Sequence, residues 1–154
     1  MALNSFLSAD AVLTGIKANG KKQLLQELAE AVARLCGLPE RQVFETLLQR
    51  ERLGSTGIGQ GIAIPHGRIP GLNRLVGVFA RLARPVEFDS LDGEPVDLVF
   101  ILLAPEEAGA DHLQALARIA RLFRNADLVR MLRQTEERDA LYALLTANAA
   151  PRAA

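Results

Sequence analysis

Residues 95–103, Pro-Val-Asp-Leu-Val-Phe-Ile-Leu-Leu, form the most apolar run of the chain. The run has the length of a strand and predicts one that is buried on both faces, at the centre of a sheet. Such a strand needs an apolar layer above it and another below. Flanking segments supply partners. Residues 75–82 (LVGVFARL) read as a neighbouring strand, and Ile62-Ala63-Ile64 as a short β run that stops at Pro65. Residues 11–16 read as a short strand or an extended lead-in. Pro85 and Asp92-Gly93 mark the turns between strands.

Helical periodicity supplies the covering layers. Leu24, Leu25, Leu28, Ala31, Val32 and Leu35 recur at helical spacing, which predicts a helix over 21–36. Asn19 and Gly20 suit its start and Gly37 its stop. Pro39 opens a second helix at its first position, with Val43, Phe44, Leu47 and Leu48 inward and an end near Arg52-Leu53-Gly54. From Gly109 the pattern is helical again, with a stripe of Leu113, Leu116, Ala117, Ala120 and Phe123 and with Ile119 beside it. Two more short helices are expected over 125–132 and 136–145, and an Ala-rich tail over 147–154 is expected to fray. The expectation is one domain over 1–154: an α/β (α+β) sandwich with a mixed β-sheet flanked by helices.

Composition narrows the function. Lys plus Arg equal Asp plus Glu at 18 each, and there is a single tyrosine. A nucleic-acid partner is therefore not expected, since it calls for a basic face and aromatic stacking residues. No apolar run reaches the roughly 18–20 residues that span a bilayer. The first residues lack a basic segment followed by an apolar one. We expect no membrane insertion and a cytoplasmic protein. Cys36 stands alone, so it makes no internal disulfide and reads as buried filler. Two histidines and one cysteine do not make a structural zinc site. No metal and no cofactor are expected.

The chemistry concentrates in Gly57-Ile58-Gly59-Gln60-Gly61-Ile62-Ala63-Ile64-Pro65-His66-Gly67-Arg68, which holds four glycines and one of the two histidines. Glycines 57, 59 and 61 at alternate positions weaken an ordinary strand, a cost easier to understand at a site than in a scaffold. Without a Cβ, the backbone N–H groups of Gly59 and Gly61 can approach an anion closely. His66 offers a ring nitrogen that is nucleophilic near neutral pH. A nucleophilic nitrogen among backbone donors suits a transferred phosphoryl group, so His66 is the candidate acceptor. Its other nitrogen should donate to a carbonyl or carboxylate, which fixes the tautomer. An arginine should meet the phosphoryl oxygens with its planar fork; Arg50, Arg52 and Arg68 are the candidates. Ser55 and Thr56 either donate to phosphate oxygens or cap a turn. His112 falls in the first turn of a helix, where amides attract anions, and it can lend a hydrogen bond to a phosphoryl group on His66. A dinucleotide fingerprint is excluded, because Ile62 stands where its third glycine belongs.

The run RERLGSTGIGQGIAIPHGR, residues 50–68, closely resembles the IIA proteins of the bacterial sugar phosphotransferase system, fructose–mannitol type. The block PVDLVF through LLAPEEAGADHL, residues 95–113, is similar to the same family. Gly67-Arg68-Ile69-Pro70-Gly71-Leu72 is most similar to the nitrogen-related branch, IIA-Ntr. The resemblance implies that His66 is the phosphorylated histidine, His112 the second active-site histidine and Arg50 the arginine beside the phosphoryl group. It implies a phosphoryl donor of the HPr type (NPr in this branch), fed from phosphoenolpyruvate through an enzyme I. It implies a phosphocarrier, regulatory rather than a turnover enzyme, whose phosphorylation state changes which proteins it binds. Potassium transport or sensor proteins, and nitrogen or carbon metabolism, are the processes linked with the branch. The alternative is a sugar-transport IIA that passes its phosphoryl group to a separate IIB protein.

Overall fold

The computed structural model describes residues 2–147. Of the tail expected to fray, all but Ala147 lies outside the described residues. Two 3₁₀ turns (Leu3–Ser5 and Ala9–Ala11) lead into β1 (Val12–Ile16), α1 (Lys21–Cys36), α2 (Glu40–Leu53), β2 (Gly57–Gly59), β3 (Ile62–Ala63) and β4 (His66–Arg68). The long strands β5 (Val76–Val86) and β6 (Val96–Ala104) follow, then α3 (Ala110–Leu122), α4 (Ala126–Gln134) and α5 (Arg138–Ala147).

The apolar run is β6, and it is central. The sheet order is β1-β5-β6-β3-β2, with β4 also paired to β6. β5 runs antiparallel to β6, while β3 and β4 run parallel to it, so the sheet is mixed. Residues 98–104 of β6 are all fully buried, as a strand covered on both faces should be. β3 and β4 lie one after the other along the same edge of β6. Ile62 pairs with Leu98 and His66 with Leu102. The break between them falls at Pro65, which has no N–H to give the ladder. Extended pairing was expected to stop at Pro65; it resumes at once, and His66 is the first residue of the new strand.

Helices cover both faces. Phe100 packs edge-on against Phe6 and Phe123, on the face that carries α3. Gly67 pairs with Leu103, one residue from His66, so it points to the opposite face, where α2 lies against it. α1 and α2 pack together on that face. Gly37 ends α1 in the left-handed conformation, and its N–H bonds to Ala33 O at 2.9 Å.

Three details differ from the sequence reading. Pro39 precedes α2 rather than opening it, since the helix begins at Glu40. Pro85 lies inside β5 rather than in a turn. Pairing with β6 is irregular between Arg81 and Val86, and an exposed interruption there tolerates the missing N–H. The buried stripe of α3 is His112, Ala115, Ile119 and Leu122, whereas Leu113 is 68% exposed. Both stripes have helical spacing. The helix is rotated so that His112 faces inward.

Candidate phosphoryl-transfer site

His66 opens β4 at the sheet edge, held by its pairing with Leu102 and by the Pro65 O to Leu102 N–H bond of 3.0 Å. Its Nδ1 lies 2.8 Å from Ile64 O. A carbonyl can only accept, so Nδ1 carries the proton and Nε2 keeps a lone pair. That lone pair accepts from Arg50 Nε at 3.3 Å. Arg50 sits in the last turn of α2, and its Nη1 also donates to Gly54 O at 2.9 Å. Because α2 covers the other face, the long arginine side chain reaches His66 past the edge strand.

His112 comes from the first turn of α3, its ring 6.0 Å from that of His66 and edge-on to it. It is buried, and its Nε2 makes no hydrogen bond among the described residues. Such an atom is costly unless a partner arrives. Burial lowers the pKa of His66, and the Arg50 charge lowers it further; the Ile64 hydrogen bond and the Glu51 carboxylate act the other way. Burial also lowers the pKa of His112, helped by the charges of His66 and Arg68. Both rings are therefore neutral near pH 7, which leaves the His66 Nε2 lone pair available.

Of the three arginine candidates only Arg50 touches His66; Arg52 and Arg68 are exposed. Ser55 Oγ donates to Phe88 O at 2.8 Å and accepts from Gly57 N–H at 3.1 Å. Thr56 is buried and bonds Glu51 through both its N–H and its hydroxyl. Gly59 and Gly61 lie elsewhere. Gly59 packs on Asp92, and Gly61 against Arg133 and Asp97. Gly61 O accepts from Asp97 and Leu98 N–H, four β6 residues before the His66 row at Leu102. That is about 13 Å away along the strand. The structure thus brings His66, Arg50 and His112 together and places these two glycines at the other end of β6.

Two features escaped the sequence reading. Glu51 is buried, paired to Lys21 Nζ at 3.0 Å and bonded to Thr56. Its signal was present: Val43, Leu47 and Glu51 fall at i, i+4 and i+8, so a carboxylate continues the inner face of α2. Gly67 is the other. A Cβ there would stand 2.7 Å from Thr46 Cγ2, so only glycine lets α2 approach β4 this closely.

The family model for the phosphoenolpyruvate-dependent sugar phosphotransferase system, EIIA 2, matches residues 5–148. The chain belongs to this EIIA type 2 family. Among its relatives, the nitrogen regulatory protein of Bradyrhizobium diazoefficiens is 56% identical over 145 residues, covering 94% of this chain and 95% of that protein. The nitrogen regulatory protein of Pseudomonas aeruginosa is 42% identical over 146 residues, covering 93% and 94%. The crystal structure of IIA-Ntr from Neisseria meningitidis superposes with a TM-score of 0.87 at 39% identity, covering 94% of this chain and 99% of that one. The EIIA sandwich, with five α-helices and a six-stranded mixed sheet among the described residues, is therefore the fold of this chain. Among the described residues no helix is long and apolar enough to cross a membrane.

Proposed function

We propose that this chain is a phosphocarrier of the nitrogen-regulatory type. His66 Nε2 accepts a phosphoryl group from an HPr-type carrier (NPr), and the free and phosphorylated forms bind regulatory partners differently. One observation carries the reading: Ile64 O holds the proton on Nδ1 while Arg50 Nε lies on Nε2. This supports Nε2 as the nucleophilic atom, with a cation already beside it.

In the transfer, the Nε2 lone pair attacks phosphorus and an N–P bond forms. The bond from phosphorus to the donor breaks, and its electron pair leaves with the donor. The Nδ1 proton stays, and Ile64 O stabilises the positive charge that develops on the ring. Arg50 exchanges its bond to Nε2 for bonds to the phosphoryl oxygens, a charge-assisted contact. His112 can donate from Nε2 to a phosphoryl oxygen, which relieves its unpaired state. Transfer of this kind needs positioning and charge stabilisation more than covalent help from the protein.

A phosphoryl group adds about −1.5 to −2 charges at a half-buried site, enough to change a docking surface. The names of the 56% and 42% identical relatives support a regulatory output over handing the group to a sugar-permease IIB protein. Potassium transport or sensor proteins are the targets we propose, met in the cytoplasm. The test is intact-mass analysis after incubation with phosphoenolpyruvate, enzyme I and the carrier. Wild type should gain one acid-labile phosphoryl group, His112→Ala should gain it more slowly, and His66→Ala should gain none. Phosphorylation of His66→Ala at the wild-type rate would refute the assignment.

A further inference from the structure

Arg50 and Glu51 are consecutive residues in the last turn of α2, and between them they reach both nitrogens of His66. Arg50 meets Nε2 directly. Glu51 acts on the Nδ1 side through two backbone groups. Its Oε1 accepts from Thr56 N–H at 3.0 Å, and its Oε2 accepts from the Thr56 hydroxyl. Thr56 O in turn accepts from Ile64 N–H at 3.0 Å, and Ile64 O accepts a hydrogen bond from His66 Nδ1–H. Lys21 Nζ, 3.0 Å from Oε1, anchors the far side. The Glu51 side chain is 2% exposed, so water does not replace these bonds.

We infer that Glu51 is a positioning residue for phosphoryl transfer, setting the Ile64 carbonyl that selects the Nδ1–H tautomer of His66. This rests on the phosphocarrier reading of His66. A simpler packing role would ask only for an apolar side chain on this inner face, since Val43 and Leu47 fill the two turns before it. Instead a carboxylate uses both oxygens on one residue, Thr56, whose carbonyl leads straight to the histidine. Outer partners that orient metal-bound imidazoles commonly matter about 10- to 100-fold, and the same scale is taken here for an imidazole oriented to attack phosphorus.

The experiment compares wild type and Glu51→Gln, which keeps the shape and loses the charge and one acceptor. Three quantities are read: the single-turnover transfer rate at saturating carrier, the dissociation constant for the carrier, and the His66 tautomer from ¹⁵N shifts of the unphosphorylated protein. The expected result is a rate about tenfold lower, an unchanged carrier affinity, and a new Nε2–H population. A wild-type rate and tautomer in folded Glu51→Gln would overturn the inference. So would a slower rate with no tautomer change, since Glu51 would then act on transfer by some route other than the Ile64 carbonyl. Should Glu51→Gln not fold, Thr56→Val removes the hydroxyl bond and keeps the backbone, and the same shift of tautomer is expected or its absence decides against. The tautomer reading needs no phosphoryl donor, so it tests Glu51 even if wild type accepts no phosphoryl group and the carrier reading falls.

Discussion

Adding one methyl group at Gly67 should uncouple Arg50 from His66. The new Cβ would stand 2.7 Å from Thr46 Cγ2, against the about 3.5–4.0 Å that carbon atoms prefer. Strand and helix must then part by about 1 Å, because β-branched Thr46 has few helical rotamers to retreat into. Overpacking of this kind costs about 1–3 kcal/mol. Loss of glycine entropy in the unfolded chain offsets about 0.4–1 kcal/mol of it, so Gly67→Ala should be destabilised by about 1–2 kcal/mol. The functional effect should be larger than the stability effect. Thr46 and Arg50 lie one turn apart on the same face of α2, and Gly67 follows His66. The Arg50–His66 contact is already 3.3 Å, and another 1 Å breaks it. A misplacement near 1 Å costs up to about 10²-fold in rate. We expect single-turnover phosphoryl transfer to fall about 10- to 100-fold. Thr46→Ala removes the opposing methyl group, so the double variant should recover both the urea midpoint and the rate. A double-mutant cycle on urea unfolding measures the coupling, expected at about 1–2 kcal/mol. A Gly67→Ala protein as stable and as fast as wild type would refute the reasoning, as would a double variant that recovers neither.

Further outcomes follow from the same geometry. His66 and His112 both have pKa values below the ordinary 6.5, so below that value the unfolded chain binds more protons than the folded one. Their contribution to stability should be complete above about pH 6.5 and be lost as pH falls through the folded-state values; urea midpoints from pH 8 to pH 5 should fall, and less steeply in His66→Gln. Arg133 joins α4 to the glycine hairpin, bonding Asp97 through Nε and Nη2 at 2.9 Å and also Gln60 O. Since Arg133 is 36% exposed, Arg133→Met should cost only about 1 kcal/mol in urea unfolding, with an unchanged phosphorylation rate. A loss of phosphorylation in that variant would tie the far end of β6 to the site.

Much of the site was legible because chemistry and backbone punctuation coincide. Pro65 directly before His66 marked a break in the ladder, and the structure uses that break to turn Ile64 O onto Nδ1. The central strand was legible because its burial on both faces leaves an unbroken apolar run. The α3 face was not. Leu113 and His112 each fit a helical stripe, and the tertiary packing that buries Ala115, Ile119 and Leu122 turns the histidine inward and leaves the leucine in solvent. The glycines misled for a related reason. Alternate glycines at 57, 59 and 61 signal close approach without saying to what. The approach at Gly61 is to Arg133 and Asp97, and the one that shapes the site is at Gly67. Glu51 escaped notice because a single acidic residue near a helix end ordinarily faces water.

Nitrogen-resolved NMR of the phosphorylated protein tests directly whether the Nε2 of His66 carries the phosphoryl group. With ¹⁵N-labelled histidine, the account predicts phosphorus coupling at His66 Nε2, a retained proton at Nδ1, and an unmodified His112. Coupling at His66 Nδ1, or a phosphoryl group on His112, would contradict it.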